Sequence, residues 1–296
     1  MNNKEIKFNE SQLRLLKNWR LLKKEDNTYR TNFPILDISQ TKILRENSKV
    51  IANKFGNILQ NAILKLKDIL KERKREQNIY SILFSYVIDG IWDKYEKKEM
   101  IHKREVSAEH PFWDGKIWAL FPKRDFHCGT NKISDKGIQL LVNWSPGTIK
   151  NMIPFVSDWK NLLKMFDDYV DSGRVLDPKA KKVFEPFNLF NNVGIFTIPV
   201  IIENNNNKLF RIYDEISDKI ANNVNSFMDL NALRERFHFR SNKQTLVIVY
   251  HEMMWDLLNY FENKNLITKP VAFSEPGNTK PADISNLIFI VRSKNN

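Results

Sequence analysis

His110-Pro-Phe-Trp-Asp-Gly-Lys-Ile-Trp-Ala-Leu-Phe-Pro-Lys-Arg-Asp-Phe-His-Cys-Gly-Thr-Asn131 divides the chain. It holds two tryptophans, three phenylalanines, two of the five histidines and the only cysteine. Two prolines and two glycines interrupt it, so a plain amphipathic helix is excluded. Aromatic mass beside Asp, His and Cys on irregular backbone has the composition of a pocket wall or of a tightly packed turn. Before it the sequence is helix-rich, and after it helices and short strands mix. The fold class expected is therefore α+β.

Of the 296 residues 42% are hydrophobic, enough for a folded core and too many for a disordered chain. The net charge of +12 favours a polyanionic partner, duplex DNA first, although a Lys- and Asn-rich background would give the same total. One cysteine excludes an internal disulfide and fits a reducing cytoplasm. No apolar run has the length of a signal-peptide core or a membrane span, so no membrane partner is expected. Glycine is scarce at 9, and neither G-x-G-x-x-G nor G-x-x-x-x-G-K-[ST] occurs. Dinucleotide and P-loop sites thus lack their backbone, and no cofactor is expected.

Residues 9–24 place Leu13, Leu15, Leu16, Trp19 and Leu22 at helical spacing, with Asn9 or Ser11 as cap. Glu25-Asp-Asn27 reads as a turn, and Thr28 to Ile35 as a strand. From Ser39, apolar residues recur at threes and fours from Ile43 to Leu70, predicting a long helix capped near Ser39. Its basic run Lys65–Arg75 reads first as a solvated face and alternatively as a phosphate-contacting one. Residues 79–95 are apolar nearly all round, predicting a buried helix kinked or ended at Asp89-Gly90. Short apolar runs at 115–126 and 138–144 suit two strands, residues 153–170 an amphipathic helix, 193–202 a strand, and 209–233 a helix.

The last unit combines a helix within Leu246–Leu266 with two runs suited to a hairpin, Lys269–Ser274 and Leu287–Arg292. Helix, then Leu258-Asn-Tyr-Phe-Glu-Asn-Lys-Asn-Leu-Ile-Thr268, then a two-stranded wing resembles the ends of prokaryotic winged-helix regulators. Residues 9–36 repeat that order. The resemblance covers 9–36 and 245–292 only, and implies DNA binding. It divides the chain into a helical region with a helix–hairpin start (1–100), a mixed α/β centre (101–235) and a winged-helix-like unit (236–296).

His251-Glu252 begins the zinc-protease pattern H-E-x-x-H, but Trp255 stands where the second histidine belongs. Two ligands on one helix face therefore do not exist, and the five histidines show no other ligand spacing, so no metal is expected. Cys128 needs a base to act as a nucleophile. Its neighbour His127 would point to the opposite face of a strand, and a lone cysteine is ordinarily a small buried hydrophobe. Asp89-Gly90 and Asp114-Gly115 each lie near a tryptophan, which suits a stacking pocket for a carbohydrate or nucleobase as well as a turn.

The leading expectation is a cytoplasmic DNA-associated regulator. Phosphate contacts would come from Arg14, Lys17, Arg20, Lys23, Lys24 and Arg30 in front, and from Arg234, Arg236, Arg240 and Lys243 before the last helix. A central pocket of Trp92, Trp113, Trp118, Phe121, Phe126 and His127 would hold a small molecule or peptide. One rival is an enzyme with its pocket in 89–131, using Asp114, His127 and Cys128. The other is a protein-binding scaffold or immunity-type partner without a catalytic site.

Overall fold

A computed structural model describes residues 9–26, 28–102 and 117–293. The front is a helix α1 (Glu10–Asn18) followed by an antiparallel hairpin, β1 (Leu22–Glu25) and β2 (Thr28–Thr31); the helix ends before the expected residue 24, and Leu22–Lys24, expected in it, form the first strand instead. Asn9 caps α1 reciprocally with Gln12. A two-residue strand β3 (Ile35–Leu36) leads into α2 (Ile38–Glu72). The cap of α2 is Asp37, not Ser39: its carboxylate accepts from Gln40 N–H at 2.9 Å while Gln40 accepts from Asp37 N–H at 3.1 Å. The predicted face is buried at Leu44, Ile51, Phe55, Leu59, Ile63, Leu66 and Leu70, whereas Val50 is exposed. Lys65 and Lys67 on the basic run reach Glu215 and the Asn265 carbonyl.

Residues 79–97 form one composite helix. α3 (Ile79–Ile82) runs into a π-helical turn at Leu83–Ile88, a 3-10 turn at Asp89–Ile91, and α4 (Trp92–Lys97). Every residue from Ile79 to Ile88 is buried, as the all-round apolar sequence requires. π-helical turns are rare in proteins and concentrate at functional sites.

Ala119–Leu120 (β4) pairs in parallel with β3, and nothing else in the described part of 115–126 is strand. The true partner of the strand at 138–144 is the segment expected to be its connection: β5 (Gly129–Asp135) pairs antiparallel with β6 (Ile138–Trp144). Lys136 and Gly137 both have positive φ, the backbone a two-residue hairpin turn needs. The expected helix at 153–170 is two helices, α5 (Ile149–Ser157) and α6 (Trp159–Ser172), because Asp158 leaves helical geometry to cap α6. α7 (Pro178–Phe184) follows. Of the strand expected at 193–202, only β7 (Val200–Ile202) forms. Gly194, at φ +85°, lies in a turn whose carbonyl accepts from Val175 N–H, and Pro199 lacks a donor. Residues 209–233 likewise divide, into α8 (Lys208–Phe227) and α9 (Leu230–Phe237), where Asp229 caps the second helix.

α10 (Asn242–Asn263) is buried around most of its circumference and packs on α2. Gly56 permits that approach, since a Cβ there would lie 2.4 Å from the Tyr260 ring. The wing expected after α10 does not form. Val271–Ser274 is a helical turn, α11, and 3-10 turns follow at Pro276–Asn278 and Pro281–Leu287. Only β8 (Ile288–Arg292) is strand, antiparallel to β6 and parallel to β7, giving the sheet order β5-β6-β8-β7. Two causes are local. Pro270 removes a donor from the first would-be strand and Pro276 and Pro281 break the chain after it, and Ile-Phe-Ile-Val is apolar on both faces, which suits a covered interior strand and not an exposed wing.

Candidate functional site

Beside α10 lies a cavity of about 350 Å³, within the range of small-molecule sites, roughly 300–1,000 Å³. One wall is the composite helix, contributing Ser85 and Tyr86 from the π turn, Asp89 and Gly90 from the 3-10 turn, and Trp92 and Asp93 from α4. The floor is one face of the β5–β6 hairpin, presenting Thr130 and Lys132 from one strand and Gln139 and Leu141 from the other at the two-residue repeat of a sheet face. Glu203 after β7, Tyr213 of α8, Val247 and His251 of α10, and Trp118 complete the lining.

Among the described residues, three carboxylates and one lysine line this cavity. Tyr86 Oη donates to Glu203 Oε1 at 3.2 Å, and Trp92 Nε1 donates to Asp89 Oδ1 at 2.8 Å. The Tyr86 and Tyr213 rings pack 4.4 Å apart. Burial, with the charges of Asp93, Glu203 and Asp214 adding to it, pushes the Tyr213 phenol up to about 12. Burial and then Glu203 drive Tyr86 further up. Both phenols therefore stay protonated at neutral pH. His251 stands edge-on to Trp118, with ring centroids 5.0 Å apart, and its buried Nδ1 has no hydrogen-bond partner among the described residues.

A second polar assembly lies on another face of α10. Arg124 donates through Nη1 and Nη2 to the two carboxylate oxygens of Asp256, at 3.0 and 3.1 Å, and through Nε to Glu252 Oε2 at 2.9 Å. Arg45 Nε reaches the same Glu252 oxygen at 3.0 Å, and Ser48 Oγ donates to Asp256. Burial opposes ionisation of Glu252. The surrounding His251, Arg124 and Arg45 more than offset this and hold its carboxyl at about 2. The His251 Nδ1–Glu252 Oε1 distance of 3.8 Å exceeds a hydrogen bond, so we assign the effect chiefly to the arginines. The Arg124 guanidinium, Arg45 Nε and the Ser48 hydroxyl all face internal acceptors, which marks a structural lock between α2, α10 and the segment of Arg124.

Of the pocket residues read from sequence, Trp92 and Trp118 do line the cavity. Phe126 instead packs against Trp255 and Phe273 with Lys269 over its ring, Phe121 is 52% exposed, and His127 is half-buried away from the lining. Trp113 and Asp114 lie outside the described residues. Cys128 is buried, and burial pushes its thiol far up, so it stays protonated, the opposite of an activated nucleophile. Glu203, Tyr213 and His251 were not foreseen as pocket residues, being distant in sequence and ordinary in local context.

The basic residues converge more than their sequence positions suggest. Arg14, Lys17, Arg20, Lys23, Lys24 and Arg30 are all exposed on α1 and the hairpin. Glu25 pairs with Lys23 and Arg30, and Lys17 Nζ meets Tyr29 Oη at 3.1 Å. Arg240 Nη2 donates to the carbonyl and side-chain oxygens of Asn32 at 2.9 and 2.7 Å, and Asn32 in turn donates to the Arg20 and Leu21 carbonyls. Arg240 thus joins the C-terminal basic cluster to the front unit. Arg236 is exposed nearby in sequence, Arg234 pairs loosely with Glu235, and Lys243 is half-buried.

No protein-family model, curated protein or solved structure matches the chain. Among the described residues no group of three or more His, Cys, Asp or Glu is arranged to hold a metal, and no helix is long and apolar enough to cross a membrane.

Proposed function

We propose that the chain is a DNA-associated regulatory protein whose front helix–hairpin contacts phosphates and whose central cavity holds a small ligand. One observation carries this reading. The front unit buries no residue of α1 and exposes all four positions of β2, yet it bears six cations together with exposed Leu15, Trp19 and Tyr29. A surface with no core of its own that interleaves aromatics and cations suits a nucleic acid, where phosphates take the charges and rings meet sugar or base. The likeness to winged-helix regulators now rests on residues 9–36 alone.

The test is fluorescence-anisotropy binding to random duplex DNA at two salt concentrations. If four of the six front cations meet phosphates, the logarithm of affinity falls against that of salt with a slope of about −3.6, or roughly 150-fold between 50 and 200 mM. The double variant Arg14→Ala with Lys24→Ala flattens the slope by about two contacts and weakens all sequences alike. No binding at low salt removes the DNA reading.

A further inference from the structure

We infer that the exposed margin of α5 and α6 rests on an anionic phospholipid surface. The contact is independent of the proposed DNA and ligand sites. Ile149 and Ile153 lie four residues apart on α5, and Trp159 and Leu163 four apart on α6, so each pair shares one helix face. All four are exposed, Ile153 and Trp159 by 52% and 54%, whereas Met152 and Phe155 of α5 and Leu162, Met165 and Phe166 of α6 fill the core. Each helix thus carries more apolar surface than the core takes, and the surplus borders the buried face. Val170, half-buried, continues the stripe along α6. A single residue, Asp158, separates the two helices.

The charges beside these pairs point to the partner. From Ile149 to Phe166 they are Lys150, Lys160 and Lys164 against one acid, Asp158. The three lysines are exposed and form no ion pair among the described residues. The Asp177 carboxyl is depressed by the Ala180 amide first and by Lys164 to a lesser degree. Asp158 serves as the cap of α6, accepting from the backbone and side-chain amides of Asn161. Further along, Asp167 pairs with Lys136, Asp168 accepts from the Leu176 and Asp177 N–H groups, and Asp171 is exposed near the end of the helix. A second copy of this chain, meeting the same patch across a two-fold axis, would set lysine against lysine. Duplex DNA would take the lysines and offer nothing to Ile153 and Leu163, because its outer surface is phosphate. An anionic bilayer takes both. Headgroup phosphates meet the ammonium groups, while the aliphatic side chains and the indole enter the boundary between headgroups and acyl chains, where tryptophan is enriched. The lack of a long apolar run bears on crossing a bilayer, and lying on one requires no such run.

The experiment sediments the full chain with vesicles of phosphatidylcholine alone or mixed with phosphatidylglycerol. Binding is expected with the mixed vesicles only. Lys160→Gln with Lys164→Gln should weaken it about 25-fold, from roughly fivefold per lysine, and Trp159→Ser about tenfold. Should Trp159→Ser lose its far-ultraviolet circular dichroism, Ile153→Ser takes its place with the same expectation. Lipid brominated along its acyl chains should quench the tryptophan fluorescence, and less so in Trp159→Phe. Arg14→Ala with Lys24→Ala, in the front unit, should leave vesicle binding unchanged. No sedimentation with mixed vesicles, equal binding to neutral ones, or a loss confined to the front variant overturns the inference. So does a Trp159→Ser chain that binds vesicles normally but no longer self-associates in ultracentrifugation, which assigns the face to a second copy. A Lys160→Gln, Lys164→Gln chain that loses DNA affinity and keeps vesicle affinity likewise overturns it. None of these outcomes touches the DNA test, which reads the front cations.

Discussion

Replacing Arg124 by Met removes four hydrogen bonds and one buried positive charge while keeping most of the side-chain stem. Glu252 and Asp256 are left at 4% and 3% side-chain exposure, the first with Arg45 and the second with Ser48. Breaking a buried pair from one side costs about 3–5 kcal/mol, because a charge stays behind without its counter-charge. The Glu252 shift gives an independent scale. A folded value of about 2 against an ordinary 4.5 corresponds to about 3 kcal/mol, net of the opposing burial and with His251 included beside the arginines. Since Arg45 persists and Asp256 also loses its partner, about 3 kcal/mol is expected, a fall in Tm of about 6–10 °C. Urea unfolding followed by circular dichroism measures it, and Arg45→Met, which removes one bond, should cost less. The pH dependence follows from the sign of the shift. A carboxyl depressed on folding stabilises fully above about 4.5, and that contribution disappears as pH falls toward 2. Arg124→Met should flatten this acid limb. A loss below about 1 kcal/mol, or an unchanged acid limb, refutes the lock.

Tyr95 and Tyr250 pack edge to face at 5.3 Å, yet they differ in their hydroxyls. Tyr250 donates to the Ile88 carbonyl at 2.8 Å, whereas Tyr95 Oη is buried without a partner among the described residues. Tyr250→Phe should cost about 1–2 kcal/mol and Tyr95→Phe nothing or less in the same urea assay; the reverse order contradicts the hydrogen-bond assignment. Cys128 should react with a thiol reagent only as fast as the chain opens, and denaturant should release it. Rapid labelling of the folded protein would reinstate it as a reactive group.

The long helix α2 was legible because one apolar face repeats at threes and fours over 35 residues, and no tertiary partner is needed to see it. The start of the front helix and the strand after the turn were legible from a cap and a polar turn, but Leu22–Lys24, read as helix, form the other strand of the hairpin. The sheet was not. β8 carries a clear strand composition, but which strands flank it depends on contacts far away in sequence, and the nearest run was the wrong partner. The cavity was half legible for the same reason. Trp92 and Trp118 announce themselves as large aromatics beside Asp and Gly, whereas Glu203, Tyr213 and His251 come from elements that only folding brings together. Asp158 and Asp229 were read through as helix interior, although each begins a new helix by taking its first amides.

The interior position of β8 also governs how the chain emerges from a ribosome. β6 meets β5 at once through its tight turn, but its other edge stays bare until Ile288–Val142 and Phe289–Leu141 pairing becomes available. At ordinary elongation speeds that wait is on the order of ten seconds. During it an apolar strand, Ile138–Trp144, presents unpaired backbone to every other nascent chain nearby. The hazard of this fold thus belongs to its synthesis, and slowing translation between β6 and β8 should raise aggregation without changing the finished molecule.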